Sequence, residues 1–471
     1  MSTSFHFIRG RGRGRREAGA GWPFLPLVTS IRKRESEIFF EPSVDSVRSA
    51  AMGFLHAEHP RHPHRRVKIR ALSASPRFQF VQTARQPSID FFAVTTKQHK
   101  SAPAGIRATV APARWKMPCA NSECTLHQLS PYIGKIKSSI AGELIERYSS
   151  AGDLIVDPFS GAGTIPLEAA IRGRRAFAAD ISPYAQIISH AKLAPPPTLK
   201  IAIKRADEAL TEAAELPPPD LRSVPLWVRR FFHPDTLRDA LRFAAVARRH
   251  GNEFLMACFL GILHHQRPGF LSYPSSHLVP YLRDKKYPRA TFPDLYAYRE
   301  LKPRLLSKIN RSFKRFQKPR AGGVSVRQCP VEELEFPRRF DALITSPPYM
   351  NALDYGRDNR LRLWFIDPSL AKPADYDVTQ RRSAFTEAIT SLAAKIESGL
   401  RRKGYCVFVV GEEFNRKFVA HPSEVVVQIV AREAPSLRLR RIITDDIPDV
   451  RRTRRECNGV KTEHFLVFQR N

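Results

Sequence analysis

The chain has 471 residues, of which 42% are hydrophobic and 26% are charged. This length and composition allow two or three domains with a sizeable core. Six cysteines at irregular positions form no paired Cys-x-x-Cys set, which excludes a disulfide-framed miniprotein and predicts reduced thiols in a cytosolic compartment. No run reaches the ~18 consecutive apolar residues that a spanning helix needs, so we expect no membrane partner.

The net charge of +32 predicts a polyanionic partner. The charge is concentrated in two regions. Residues 1–116 hold 21 Lys and Arg against 7 Asp and Glu, and residues 220–320 hold the same numbers. The alternative is an arginine-rich composition whose charge lies on a solvated surface.

Residues 1–116 have no sustained periodicity of 2 or 3.6, which predicts a largely disordered basic extension. Two other interpretations stay open. The segment is arginine-rich and poor in acids, as organelle transit peptides are, or translation begins at Met117 and the preceding residues carry no function.

The next segment predicts a helix followed by alternating strands and helices. A helical stripe of apolar residues is followed by a strand over 154–156, a helix over 165–172 and a strand over 176–179. The stripe consists of Ile133, Ile136, Ile140, Leu144, Ile145 and Tyr148. Short apolar strands that alternate with helices predict a mostly parallel sheet covered on both faces.

Residues 220–320 interrupt this alternation with helical segments and an aromatic, loop-rich stretch. The alternation typical of a sheet returns over 323–349, which includes the apolar run at 340–344. A helix over 386–399 and a strand from Tyr405 follow. Residues 438–446 and 463–471 predict a closing antiparallel hairpin.

A glycine turn follows the first of these strands, with the sequence Asp-Pro-Phe-Ser-Gly-Ala-Gly at 157–163. It lacks the Lys-Ser/Thr pair of a phosphate-binding loop, and acids at both strand ends, Asp157 and Asp180, would repel a pyrophosphate. These carboxylates suit an ammonium and a ribose diol, which predicts an S-adenosylmethionine site. The candidate cofactor-binding residues are Asp157, Pro158, Phe159, Ser160, Gly161, Gly163, Thr164 and Asp180. The alternative is a tight turn with a helix-capping acid.

A second motif, Ser346-Pro347-Pro348-Tyr349, ends the strand over 340–344, because proline cannot donate to a sheet ladder. An exocyclic base amine is a poor nucleophile, and two fixed acceptors would draw its nitrogen towards sp3 geometry. We assign those roles to the Ser346 hydroxyl and the Pro347 carbonyl, with Pro348 as the rigid support. Tyr349 would stack on a base rotated out of the duplex. The alternative is a proline-terminated strand with a packed tyrosine.

Cys119, Cys124 and His127 provide half of a zinc site at most, and no metal is expected.

The pair of motifs at 157–163 and 345–349 resembles the amino-group DNA methyltransferases, which methylate cytosine N4 or adenine N6. The resemblance covers about 126–470 and includes the segment at 130–145, which in that family helps to bind the methionine part of the cofactor. It implies a Rossmann-like class I methyltransferase α/β fold, S-adenosylmethionine and double-stranded DNA. Serine at Ser346 favours cytosine N4 over adenine N6. Asp354, Tyr355 and Asn359 could border the base pocket or serve the core.

The resemblance divides the chain into an extension at 1–116, a cofactor-binding half at 117–219, a helical basic insertion at 220–320 and a catalytic half at 321–471. We assign the insertion to DNA recognition, against the alternative of a helical lid. A cytoplasmic, nucleoid-associated bacterial protein is expected, and a cognate restriction endonuclease and the oligomeric state are left open. The competing functions are an RNA or tRNA guanine-N2 methyltransferase and a catalytically silent nucleic-acid-binding protein. A cytosine-C5 mechanism is disfavoured because no Pro-Cys motif ends the relevant strand.

Overall fold

The computed structural model describes residues 106–265, 269–273, 287–320, 324–348, 355–371, 382–411, 421–447 and 461–471. Most of the predicted N-terminal extension lies outside these ranges, as do Tyr349 and Asp354. No helix within the described ranges is long and apolar enough to cross a membrane.

One sheet of eight strands organises the described part of the chain, in the order β1-β7-β8-β6-β5-β2-β3-β4. The strands are β1 (Ala108–Val110), β2 (Leu154–Asp157), β3 (Arg175–Asp180), β4 (Val324–Gln328), β5 (Phe340–Thr345), β6 (Leu400–Gly411), β7 (Leu437–Ile447) and β8 (Lys461–Arg470). β8 is antiparallel to both β6 and β7, and the other strand pairs are parallel. The predicted mostly parallel sheet and its closing antiparallel hairpin are confirmed.

The helices lie between these strands. They are α1 (Ser138–Tyr148), α2 (Thr164–Ile171), α3 (Pro183–Leu193), α4 (Leu199–Glu215), α5 (Leu226–Arg229), α6 (Pro234–Arg249), α7 (Glu253–Leu263), α8 (Leu301–Ser312), α9 (Tyr355–Ile366), α10 (Arg382–Gly399) and α11 (Pro422–Glu433). The predicted helices over 165–172 and 386–399 match α2 and α10 within a few residues.

Both faces of the sheet are buried, as the all-apolar strands predict. Along β2, Ile155 packs on the face that α1 and α2 cover, and Val156 packs on the opposite face with α10 and α11. Ile344 and Leu343 of β5 alternate in the same way. Successive side chains of a strand point to opposite faces, so a strand covered on both sides must be apolar throughout.

Helices α4 to α8 form a cluster beside the sheet rather than a further set of strand crossovers. Their apolar faces share one hydrophobic core with α3 and α9. Because α4 precedes residue 220 and α6 to α8 follow it, one core spans the predicted boundary between the cofactor-binding half and the insertion. The division of the chain into these parts stays a prediction.

The boundary predicted for the N-terminal extension, residue 116, lies too far along the chain, because the residues just before it belong to the sheet and its core. Residues 108–110 form β1, which pairs in parallel with β7, and Trp115 is 2% exposed. The Trp115 ring packs on Phe465 of β8 at 4.7 Å between centroids, and its indole nitrogen donates to Glu143 at 2.7 Å. The three strand residues are exposed, so no hydrophobic pattern marks them, and β1 exists because β7 offers it an open edge.

Candidate active site

The main cleft lies where the strand order reverses. β2 has β3 on one side and β5 on the other. The chain therefore crosses the sheet in one direction from β2 to β3 and in the opposite direction from β4 to β5. Ligands of open α/β sheets bind at such a point, outside the carboxyl ends of the strands. The cleft is lined by residues that follow β2, β3, β4 and β5.

Seven of the eight predicted cofactor residues line this cleft, and Gly163 is the exception. Gly163 instead begins α2 with a left-handed φ of 66°, and a Cβ there would lie 2.7 Å from Ser189 Oγ. Gly161 also has a positive φ, of 48°. Both positions therefore favour glycine, since an L side chain would be strained at either one.

Side chains of β3 and α3 hold the glycine turn. The Gly161 N–H donates to Asp180 Oδ2 at 2.8 Å, and Ser189 Oγ donates to the Gly161 carbonyl at 3.2 Å. The Lys192 ammonium is buried and donates to the Ala162 carbonyl. Burial lowers the pKa of Lys192 well below its usual value. The turn is thus fixed from beneath by backbone and side-chain hydrogen bonds.

Asp157 of the cleft is buried and Asp180 is half-buried, and both acids are hard to ionise. Burial raises the pKa of Asp157 to about 7, although the Thr345 hydroxyl and the Phe159 N–H stabilise the carboxylate. Burial also raises the pKa of Asp180 to about 6, opposed by N–H donors from Ser182 and Gly161. A cationic or hydroxyl-bearing ligand would stabilise both carboxylates, because each has lone pairs left for further donors.

Two hydroxyls of the turn also lack partners. Ser160 Oγ and Thr164 Oγ1 are buried, line the cleft and make no hydrogen bond within the described part of the chain. Buried polar groups in native proteins are normally hydrogen-bonded. The cleft therefore presents two acids and two hydroxyls with unused hydrogen-bonding capacity.

The second motif reaches the same cleft from β5. Ser346 and Pro348 line it, and Pro347 is buried beside them. Ser346 Oγ donates to the Val409 carbonyl of β6 at 3.3 Å. The residue before it, Thr345, donates from Oγ1 to Asp157 Oδ1 at 2.7 Å, with both side chains buried. One hydrogen bond thus joins the strand ends that carry the two motifs.

Two tyrosines, Tyr132 and Tyr355, line the cleft, and the buried Tyr184 supports them. The Tyr132 ring stacks on Tyr184 and Tyr355, at 5.8 and 6.0 Å between centroids. A Cβ on Gly161 would lie 3.2 Å from Tyr132, so the absence of a side chain lets the ring approach the turn. Asn359 is buried and donates to the Tyr355 carbonyl at 3.0 Å within α9.

Many residues of the cleft lie in a segment of the chain that matches a family model. The model UPF0020, described as RMKL-like, methyltransferase domain, matches residues 130–213. That range includes Tyr132, the glycine turn and Asp180. Over this segment the chain is similar to the S-adenosylmethionine-dependent methyltransferases.

Two curated methyltransferases are similar to parts of the chain. The type II methyltransferase M.MjaII of Methanocaldococcus jannaschii is 34% identical over 68 residues, 14% of this chain and 13% of the relative. The type II methyltransferase M.BsoBI of Geobacillus stearothermophilus is 26% identical over 283 residues, 52% of this chain and 54% of the relative. The chain thus spans 13% and 54% of these two relatives.

Among solved structures, TrmN from Thermus thermophilus aligns with 71% of this chain and 49% of its own, at 10% identity and a TM-score of 0.28. The strand order supports the Rossmann-like methyltransferase fold independently. The strands that follow β2 in the chain are added first on one side of it, as β3 and β4, and then on the other, as β5 and β6. The one antiparallel strand of the described sheet, β8, lies between β6 and β7.

S-adenosylmethionine is the cofactor of this family, and the cleft fits it. The unpartnered hydroxyls of Ser160 and Thr164 can hydrogen-bond a polar ligand, and Asp157 and Asp180 can receive an ammonium and a ribose diol. When bound, the cofactor supplies an activated methyl group. The contact assigned to each of these residues stays a prediction.

The suggested zinc ligands have other partners. His127 Nε2 lies 2.5 Å from Glu168 Oε1, Cys124 Sγ donates to the Gln317 carbonyl, and Cys119 Sγ contacts Glu123 and Ser138. Among the described residues, no group of three or more potential ligands is arranged to hold a metal ion.

Sequence reasoning missed three residues that shape the cleft. Thr345 precedes the second motif, and its position at a strand end was a signal that it could reach Asp157. Cys329 lines the cleft directly after β4, and its place after a parallel strand was the corresponding signal. Lys192 gave no signal, because nothing in the sequence tells a buried lysine of α3 from an exposed one.

Proposed function

We propose that the protein is a DNA methyltransferase, which transfers a methyl group from S-adenosylmethionine to an exocyclic base amine, with cytosine N4 favoured over adenine N6. The observation that carries the proposal is the Thr345–Asp157 hydrogen bond of 2.7 Å, next to Ser346 in the same cleft. A residue suited to the cofactor and one suited to an amine thus lie on adjacent strand ends.

The Ser346 environment suits an acceptor for an amine hydrogen. Its hydroxyl proton is directed to the Val409 carbonyl, so its oxygen keeps lone pairs for another donor. Pro347 and Pro348 restrict the backbone beside it, which would fix the second acceptor, the Pro347 carbonyl. Two fixed acceptors can draw hydrogens from the amine and leave its lone pair directed at the methyl group.

A direct transfer suits this cleft better than a covalent thiolate route. Cys329 lies in the cleft, but burial raises the pKa of its thiol. A thiol that holds its proton is a weak nucleophile. The preference for an amino-group target over cytosine C5 therefore has an electrostatic basis as well as a sequence basis.

The similarity to two proteins named type II methyltransferases supports a DNA substrate. The choice of cytosine N4 depends on Ser346, and double-stranded DNA is the proposed partner. A guanine-N2 RNA methyltransferase and a silent nucleic-acid-binding protein are the competing functions, and the experiment below separates all three.

The test is tritium transfer from labelled S-adenosylmethionine to methylation-free genomic DNA and to bulk RNA, followed by nucleoside chromatography. Ser346→Ala should abolish most of the transfer while cofactor binding, measured by calorimetry, stays unchanged. Ser436→Ala is the matched control, because that hydroxyl also makes one hydrogen bond, to Glu397, but lies outside the cleft.

Label in N4-methylcytosine that Ser346→Ala loses is the expected result. Label in N6-methyladenine would correct the target base, and label in RNA alone would replace the DNA proposal with the guanine-N2 alternative. Cofactor binding without transfer to any nucleic acid would favour the silent binding protein.

A further inference from the structure

A second, basic groove opens on the helical cluster, apart from the cleft. Its charged and aromatic lining consists of Arg229, Arg230, Phe232, His233, Tyr273, Arg289 and Tyr296. No carboxylate occurs among the lining residues that the structure describes. The Asp235 carboxylate lies 3.7 Å from His233 and pairs with Arg238. The groove therefore suits an anionic ligand.

The floor of this basic groove is held by a buried arginine. The Arg299 guanidinium donates to the carbonyls of Phe270, Ser272 and Leu295, at 2.7, 2.8 and 3.0 Å. The Tyr273 N–H donates to the Phe231 carbonyl at 2.7 Å. Three donors on a single planar group hold the segment at 270–272 against the segment at 295–299, so the groove is shaped before a ligand arrives.

Two lining arginines are available to a ligand. Arg229 Nε is buried and has no hydrogen-bond partner among the described residues. The Arg289 guanidinium lies over the Tyr296 ring, 4.6 Å from its centroid. The Tyr296 ring orients the Arg289 guanidinium without occupying the N–H donors of that guanidinium, which can then bind phosphate oxygens. The Tyr273 and Tyr296 rings, 4.9 Å apart, add aromatic surface beside these donors.

The basic groove is connected to the cleft through α9. The Phe232 ring packs against Phe365 of α9 at 5.8 Å, and Arg362 of the same helix donates to the His264 carbonyl at 2.8 Å. The first residue of α9, Tyr355, lines the cleft. One rigid helix thus links the two openings.

We propose that the basic groove binds the phosphate backbone of the nucleic acid whose base enters the cleft, with Arg229 and Arg289 as the phosphate contacts. This inference rests on the proposed function for the identity of the ligand. Arginines in a groove whose described lining holds no carboxylate suit a phosphodiester chain, and counterion release makes such contacts strongly dependent on salt.

The test is a binding titration of a fluorescein-labelled DNA duplex of arbitrary sequence, measured by fluorescence anisotropy over a range of NaCl concentrations. The variant is Arg229→Glu with Arg289→Glu. The control is Arg438→Glu with Arg440→Glu, two exposed arginines of β7 with the same total change of charge. A milder pair, Arg229→Gln with Arg289→Gln, guards against misfolding, and calorimetry with S-adenosylmethionine verifies the cleft in every variant.

We expect the groove variant to weaken DNA binding by about tenfold or more at moderate salt, because charged phosphate contacts are lost. The slope of log K against log salt should become shallower by about 2, roughly 0.9 for each lost phosphate contact. The glutamine pair should change in the same direction, and the β7 control should keep the wild-type slope.

Equal weakening by the groove and control variants would overturn the inference, because charge alone would then explain it. Unchanged binding in the groove variants would overturn it too and would leave an acidic protein as the ligand to test. The proposed function fails separately: if the wild type binds DNA through the groove but methylates no nucleic acid, the groove stands and the activity does not.

Discussion

The hydrogen bond from Thr345 to Asp157 provides the sharpest test of the cleft. Both side chains are buried, 0% and 2% exposed, and the Oγ1–Oδ1 distance is 2.7 Å. Thr345→Val keeps the shape of the side chain and removes the donor. A hydrogen bond to a charged group is worth roughly 1.5–3 kcal/mol, so the pKa of Asp157 should rise by about 1–2 units from its value of about 7.

The direction of the pH effect follows from which form of Asp157 binds the cofactor. We expect the carboxylate to attract the ammonium of S-adenosylmethionine, and this charge is lost as pH falls through the pKa of Asp157. In the wild type, affinity should fall below about pH 7, and in Thr345→Val the fall should begin one to two units higher. At about pH 7.5 the variant should bind roughly three- to twenty-five-fold more weakly, and the two proteins should nearly converge by about pH 9.5.

Isothermal titration calorimetry with S-adenosylmethionine at a series of pH values measures this effect. The ratio of the two dissociation constants at each pH cancels the titration of the cofactor's own amine, which is common to both proteins. Thr345→Ser retains the hydroxyl and serves as the control, with a profile near that of the wild type. A ratio that stays constant across the whole pH range would refute the link between Thr345 and the ionisation of Asp157.

Three further changes test the site and the fold. Asp157→Asn should abolish cofactor binding yet raise the free energy of unfolding by about 1–4 kcal/mol near pH 8, with little effect near pH 4. The pKa of Asp157 in the native protein, about 7, exceeds its value in the unfolded chain, so the wild type loses stability as pH rises between these two values. Urea denaturation of both proteins at pH 4 and pH 8 measures the difference. Equal gains in the free energy of unfolding at the two pH values would contradict the expectation. Gly163→Ala should lower the free energy of unfolding by at least about 2 kcal/mol and weaken cofactor binding, because its Cβ would collide with Ser189. Gly152 also has a positive φ but open space around it, so Gly152→Ala should cost only the backbone strain of about 1–2 kcal/mol. Equal shifts of the melting temperature in the two variants would refute the packing argument. Trp115→Ala should cost about 3–5 kcal/mol in urea denaturation, and a loss below about 1 kcal/mol would mean that the segment before Met117 does not stabilise the sheet.

The sequence by itself determined the central strands and the positions of both motifs. The runs that form β2 and β5 are apolar on both faces and end at residues that cannot continue a strand or that favour a turn. Such signals lie within a few neighbouring residues, so they can be recognised without knowledge of the fold. Tyr349, the one predicted catalytic residue outside the described ranges, stays a prediction on the same local basis.

Only the tertiary structure decided which distant residues meet. Thr345 and Asp157 are 188 positions apart, Lys192 reaches a turn 30 positions earlier, and β1 pairs with a strand more than 300 positions later. Neither the burial of Lys192 nor the exposed pattern of β1 is encoded by periodicity. Local periodicity specifies which face of an element is apolar, whereas its partner is selected by the packing and strand edges that the rest of the chain supplies.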